Sequence, residues 1–300
     1  MSRRVSVVSV VDDHPPDLDR WFAALLRQDF PSDEFEIVMA DPYGDQGYPA
    51  IAERARQRHP SQAPFTYLPM EGCVRAAAYN AAVERASGSL VVFLGPDYLP
   101  KTRFLTAHNE FHRQHPSPTA VGIGAAFLVP PFVSEFSAWL QRSGHLVGVP
   151  FFEGMDSVPS NFFFVGNSSV KRPFLDSVGA FDERYLFQTF DDFELGLRLQ
   201  AAGMVSEFIP DAPTEHHHPI TMKGWSGAVR QTGASARQYE QVGSPPFDWE
   251  PVVQRSPMNH RLRAYSRLAR YVVRRRPEDR DRYYHRMLHA AFSAGYRTSD

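Results

Sequence analysis

Three hundred residues with 43% hydrophobic content can bury one large core, or one core and an extension. A formal net charge of −2 argues against a general nucleic-acid binder, and no run approaches the roughly 18 apolar residues that mark a membrane span. The single cysteine, Cys73, excludes an internal disulfide and fits a reducing cytosol, so a cytoplasmic location is expected.

The chain opens on MSRRVSVVSVVDDH. It has no small-residue cleavage site and acids follow the apolar run, so it reads as a strand and not a signal peptide. The valine-rich run 5–11 is the first buried strand, and a loop follows. Asp17 caps a helix that carries Leu18, Trp21, Phe22, Leu25 and Leu26 at helical spacing. A second strand, 35–40, ends at Asp41 and is followed by Pro42, Tyr43 and Gly44. A polar helix over 50–59 and a short strand over 65–68 come next. Gly72 opens a helix that Gly88 is expected to end with a left-handed cap. Cys73 stands before that helix, which would lower its thiol pKa; a structural cysteine is nonetheless the plainer reading.

The run 90–94, LVVFL, passes straight into Gly95, Pro96 and Asp97. Five apolar residues bounded by turn signals read as a strand buried on both faces. The order so far is β-α-β-α-β-α-β, the signature of a parallel sheet covered by helices. Two of these strands end in a carboxylate, Asp41 and Asp97. Right-handed crossovers place both ends on one rim, where open α/β sheets bind ligands. The alternative is that Asp97 is a turn residue only. GIGAAF at 122–127 is read as a glycine-softened strand, since no glycine-rich turn follows the first strand.

The second half is less regular. A helix is expected over 101–115, a strand over 120–129 and a short helix over 134–142. Residues 144–160 read as a long loop, and 161–165 as an aromatic strand ending in Gly166 and Asn167. Asp191 and Asp192 then start a helix that stops at Gly203; acids there either cap the helix or carry function. A strand over 205–209 precedes PDAPTEHHHP. Three adjacent histidines point to a metal or phosphate contact. In an extended segment His216 and His218 share a face and His217 points away, so at most two serve one site.

The tail carries an amphipathic helix over 221–239, a Pro-rich connector over 243–257, and a final helix over 280–296. Between them, 260–276 reads as a helix with seven arginines off its apolar side. It is expected to pack on the preceding domain with a solvated basic face; peripheral contact with an anionic membrane is the alternative.

Taken in order, these segments resemble the family 2 glycosyltransferases of the GT-A fold. The first strand and helix are similar to that family's opening. FLGPDYLP resembles the segment bearing its DxD motif, with Asp97 on the metal-binding aspartate. VGNSSVKR resembles the glycine-asparagine segment near the acceptor, GAFDERY the usual GGFDE turn, and FDDFELGLRL the ED-x-EL-x-x-RL segment. The resemblance covers roughly residues 5–220. It implies an α/β, Rossmann-like GT-A domain over 1–220, with a nucleotide-binding half (1–100) and an acceptor half (101–220), followed by a helical extension over 221–300.

It further implies a nucleotide-diphosphate sugar donor, with uridine expected from family frequency, and inverting transfer to a hydroxyl acceptor. Val11, Asp13, Asp41, Arg75, Asn80 and Asp97 would contact the donor. Gly166 and Asn167 would face the acceptor. Asp97, His216 and His218 would hold Mn2+ or Mg2+. Asp192 would be the catalytic base, with Asp191 replacing the family's glutamate. Gly95 and Pro42 stand where the family has further acids. The Q-x-x-R-W motif of processive synthases is absent, which implies transfer of one sugar or a short-chain acceptor. A non-catalytic binder of nucleotide-sugars or carbohydrate is the alternative function.

Overall fold

The computed structural model describes residues 4–11, 17–44, 47–146, 157–185, 190–242 and 277–297. The chain falls into two compact units, one of Met1–Val133 with Leu140–Pro219, the other of Ser134–Trp139 with Ile220–Asp300.

In chain order the elements are β1 (Val5–Val10), α1 (Leu18–Leu26), β2 (Phe35–Asp41), α2 (Tyr48–Arg58), β3 (Phe65–Pro69), α3 (Arg75–Arg85) and β4 (Leu90–Leu94). Then come β5 (Tyr98–Pro100), α4 (Phe104–Gln114), β6 (Ala120–Leu128), α5 (Glu135–Arg142), β7 (Asn167–Lys171), α6 (Arg172–Ser177), α7 (Asp191–Ala201), β8 (Val205–His216), α8 (Met222–Val242) and α9 (Pro277–Arg297).

The eight strands form one sheet in the order β3-β2-β1-β4-β7-β6-β8-β5. The expected parallel half is present: β1 pairs parallel with β2 and with β4, and β2 with β3. The second half is mixed. β7 is antiparallel to both β4 and β6, β8 is parallel to β6, and the edge strand β5 is antiparallel to β8. Strands β1, β2 and β4 are buried along their whole length because helices cover both faces. Val91 and Phe93 point into a cluster with Tyr79, Ala82 and Leu195. Leu90, Val92 and Leu94 point the other way, onto Trp21, Phe22 and Phe104. Trp21 also donates its Nε1–H to the carbonyl of Gly95 at 2.9 Å, fastening α1 to the turn after β4.

Three expectations need correction. Helix α3 ends at Arg85, and Gly88 is not its cap. A Cβ at Gly88 would stand 2.6 Å from the Ser6 amide, so the glycine is there to let the chain pass close to β1. The segment 161–165 is not a strand: Ser160–Phe162 is a 3₁₀ turn and Phe163, Phe164 and Val165 bury in the core. The strand begins at Asn167 instead, where partners exist on both sides. Strand β8 does not stop at residue 209 but runs to His216. It carries a wide bulge: Gly124 pairs with Ile209, yet Ala126 pairs with Thr214. Pro210 and Pro213, which signalled a loop, fall in that bulge, where a missing N–H costs no ladder bond.

In the second unit α8 and α9 form a helix pair. Phe136 and Trp139 pack on Tyr284 at 5.1 and 5.0 Å between ring centroids, and Arg280 pairs with Glu135. The connector 243–257, the basic segment 260–276 and most of the loop 144–160 lie outside the described residues. Among the described residues no helix is long and apolar enough to cross a membrane.

Candidate active site

Asp97 lies in the turn between β4 and β5, and His216 closes β8. Register makes Tyr98 the partner of His216, and their rings stack at 4.3 Å and 4°. This puts His216 Nε2 2.9 Å from Asp97 Oδ2. The Asp97 carbonyl also accepts from the His217 amide at 2.8 Å. The alternation expected of the histidines is seen: the His218 ring stacks 6.0 Å behind that of His216, while His217 turns away to Glu215 and Phe132. Burial pushes the Asp97 carboxyl up, but the charge and hydrogen bond of His216, and the charge of His218, outweigh it. The net result lies below the usual carboxylate range.

The donor set bears on a cation. Two ligands in neighbouring octahedral positions, each about 2.1 Å from a metal, stand about 3 Å apart. The Asp97–His216 separation fits that geometry. The three-residue set with His218 does not: among the described residues no group of three or more acid, histidine or cysteine side chains converges. Two donors suit a cation whose other positions go to phosphate oxygens and water. Gly95 accounts for one missing acid, since a Cβ there would meet the Tyr98 ring at 2.7 Å and Asp97 Oδ1 at 2.9 Å.

Asp191 and Asp192 are the first two residues of α7, whose N-cap is Phe190. Neither is the cap. Asp191 accepts from the Asp192 amide at 2.9 Å, and Asp192 from the Phe193 amide at 2.8 Å. Asp191 is buried and paired with Arg75, Nε to Oδ2 3.1 Å, and the Arg75 guanidinium lies over the Tyr79 ring. Burial pushes Asp191 up to about 7 against the pull of Arg75, and pushes Asp192 up as well. Asp192 is half-buried, and the Val165 backbone beside it partly offsets the upward push of burial on its carboxyl. The next residue, Gly166, accepts from the Gly95 amide at 3.2 Å. Backbone thus links the Asp192 end of α7 to the Asp97 turn, and both carboxylates belong to one rim.

Several expected ligand contacts are spent inside the protein. Asn167 is fully buried. Its Nδ2 donates to the carbonyls of Ala125 and Ala212, and its Oδ1 meets His108 Nε2 at 2.9 Å. It fills the β8 bulge and does not face an acceptor. Asn80 likewise clamps the 181–183 turn, donating to Phe181 O and Glu183 and accepting from the Phe181 amide. Asp41 is buried at the end of β2, with Oδ1 on the Tyr43 amide and Oδ2 on the Tyr67 hydroxyl at 2.6 Å. Val11 is buried after β1, its amide on Ala40 O. Gly166 is buried against the Phe164 and Tyr98 rings, where a Cβ would stand 2.7 Å from Phe164; Asp13 lies outside the described residues. The Cys73 thiol is pushed up by burial, not lowered, because α3 starts only at Arg75. Reading the sequence missed Tyr98, the platform under His216, although it adjoins Asp97. It also missed the Arg75–Asp191 pair, for which no local signal exists.

The model of Glycosyl transferase family 2 matches residues 6–163, more than half of the chain. The chain belongs to this family. The match ends before α7 and the histidines, so the placement of Asp192 and His216 rests on the geometry above. Among curated proteins the chain is similar to the uncharacterized glycosyltransferase YfnE of Bacillus subtilis, 24% identical over 66% of this chain and 61% of that protein. It is also similar to the validoxylamine A glucosyltransferase of Streptomyces hygroscopicus subsp. limoneus, 27% identical over 62% of this chain and 46% of that protein. The chain therefore spans about half to three fifths of the curated relatives it matches. Two solved structures share its fold. The mannosyltransferase PcManGT from Pyrobaculum calidifontis, in complex with GDP-Man and Mn2+, is 17% identical, covers 100% of this chain and 87% of its own, with a TM-score of 0.63. S. aureus TarS 1-349 in complex with UDP-GlcNAc is 12% identical, covers 98% and 91%, with a TM-score of 0.57. The family 2 chain described here is accordingly GT-A-like, a mixed sheet with flanking and C-terminal helices.

Proposed function

We propose that the protein transfers one sugar from a nucleotide-diphosphate sugar to an acceptor hydroxyl with inversion, in the cytoplasm. The observation that carries this reading is the rim itself. The Asp97–His216 pair and the half-buried carboxylate Asp192 lie beside the same Val165–Gly166 backbone, whose Gly166 carbonyl takes the Gly95 amide. Asp97 and His216 would hold Mn2+ or Mg2+, whose contribution is to neutralise charge on the leaving diphosphate. The Mn2+ and GDP-Man in the PcManGT complex support such a cation and donor. UDP is the proposed nucleotide, supported by the UDP-GlcNAc of TarS; guanosine is the competing choice.

Asp192 takes the proton from the acceptor hydroxyl. A base with a raised pKa matches proton transfer near neutral pH. Asp191, held by Arg75, fixes the first turn of α7 and with it the direction of Asp192. The test is Asp192→Asn, which keeps the amide contact at the helix start. Its melting temperature and its Mn2+-dependent binding of UDP should match wild type, while release of UDP from UDP-sugar falls by roughly 10²–10⁴-fold. An active variant would overturn the assignment. Nucleotide binding without turnover in the wild-type protein would favour the non-catalytic reading, for which the glycine at position 95 is the motive.

A further inference from the structure

A groove of about 740 Å³ runs beside the open edge of the sheet, between α1, the end of α2 and β5. Its floor on α1 is made of Ala23 and Ala24, which leave the helix surface low. Arg20 and Arg27 flank that floor. Arg27 is the C-cap of α1, seven positions on from Arg20, so the two lie on one side of the helix about 10 Å apart along its axis. Arg58 and Lys101 add two more cations, against the two carboxylates Asp19 and Glu215.

The acids are already engaged: Asp19 pairs with Arg58, and Glu215 with Lys101. Arg20 and Arg27 are exposed and are left over. Arg27 uses only its Nε–H, on the carbonyl of Ala23 at 3.0 Å, which leaves its terminal nitrogens outward. The wall is rigid as well. Gln28 donates to Lys101 O at 2.9 Å and accepts from the Leu105 amide at 3.0 Å. The Asp29 amide donates to Thr102 O at 3.0 Å. Two planar guanidinium groups beside a preformed groove are suited to phosphates, each able to take two parallel hydrogen bonds.

We propose that this groove binds an extended phosphate-bearing chain, with one phosphate on Arg20 and another, further along the chain, on Arg27. β5 starts directly after Asp97, and Glu215 directly precedes His216. Side chains alternate along both strands, so Leu99 and Glu215 face away from Tyr98 and His216, and the groove lies on the side of the sheet edge opposite the Asp97–His216 pair. This anion binding does not rest on the function proposed above.

Short-chain inorganic polyphosphate is the probe, titrated in the presence of saturating UDP and Mn2+ so that the rim site is filled. Saturable binding is expected to persist under those conditions and in Asp97→Asn. Arg20→Ala with Arg27→Ala should weaken it by roughly tenfold or more, with the circular dichroism spectrum unchanged. Asp19→Asn, which releases Arg58, should tighten it. Orthophosphate, too short to meet both arginines, should bind far more weakly. Loss of binding on adding UDP and Mn2+ would place the polyphosphate at the rim and overturn the proposal. Equal affinity in the double variant, or equal affinity for orthophosphate, would overturn it too. Persistence in Asp97→Asn alongside a failure of the rim reading would leave the groove standing as an anion site.

Discussion

Two polar clusters with histidine at their centre sit in the same sheet, and they differ in whether the protein itself consumes their hydrogen bonds. The inner one joins α4 to β7 and the β8 bulge. His108 contacts Ser169 at 2.8 Å and Asn167 at 2.9 Å, and His112 contacts Ser169 at 2.9 Å. Because Asn167 gives its amide hydrogens to two carbonyls, its Oδ1 must accept from His108 Nε2. His108 Nδ1 then accepts from Ser169, and His112 Nε2 donates to the same hydroxyl. Burial keeps both imidazoles neutral, with His108 pushed down to about 4 and His112 to about 3. The outer cluster, Asp97 with His216, keeps some exposure, 15% and 8% for the two side chains, and faces the rim. A polar group whose capacity is exhausted by protein partners is a brace. One that retains capacity at a rim is available to a ligand.

The contrast can be broken by mutation. The largest effect should come from Asp97→Asn, which should reduce transfer on the order of 100-fold or more and abolish Mn2+-dependent UDP binding, with an unchanged melting temperature. A protein that merely melts earlier would make Asp97 another brace. Next comes Asn167→Ala. Leaving the Ala212 carbonyl and His108 Nε2 without partners, while Ala125 O keeps Thr214, should cost about 2–4 kcal/mol in urea denaturation, and the folded fraction should still bind UDP. A stable Asn167→Ala protein without nucleotide binding would restore the asparagine to the ligand site.

Acidification sharpens the comparison further. The folded pKa values of His108 and His112 lie below the unfolded value of about 6.5, so their stabilisation is full above that pH and is lost as pH falls toward about 4. Asp191 acts with the opposite sign. Its folded pKa is raised to about 7, so its contribution is full below the unfolded value and is lost as pH rises toward neutrality. Wild type should therefore show a shallow pH dependence of the urea midpoint between about pH 4 and 6.5, and Asp191→Asn a steep acid limb. A flat profile in the variant would place the histidines elsewhere. The smallest effect is Tyr67→Phe, which removes one donor from Asp41. It should cost about 1 kcal/mol of stability and leave transfer within a few-fold.

Much of the parallel half was legible because its signals are local. Apolar runs gave β1, β2 and β4, and a strand that stops at a carboxylate is visible wherever Asp41 or Asp97 follows such a run. Helical spacing in α1 and the alternation of His216 and His218 were readable for the same reason. The mixed half was not. Asn167–Lys171 is polar enough to pass for a turn, and becomes a strand only because β4 and β6 both need a partner. The two prolines of β8 argued for a loop until a bulge absorbed them.

The candidate site divides in the same way. The sequence by itself placed Asp41 and Asp97 at strand ends on one side of the sheet and gave His216 and His218 a shared face, since strand ends and side-chain alternation follow from local pattern; only the family resemblance joined the histidines to Asp97. It could not tell which of them stay open to a ligand. Asn80 and Asn167 have the chemistry of contacts, yet the 181–183 turn closes one and the carbonyls of β6 and β8 close the other. Asp192 remains half-open, while its neighbour Asp191 is buried against Arg75. Only the tertiary structure decided these cases, because hydrogen-bonding capacity is consumed by partners that are distant in the chain and adjacent in the sheet.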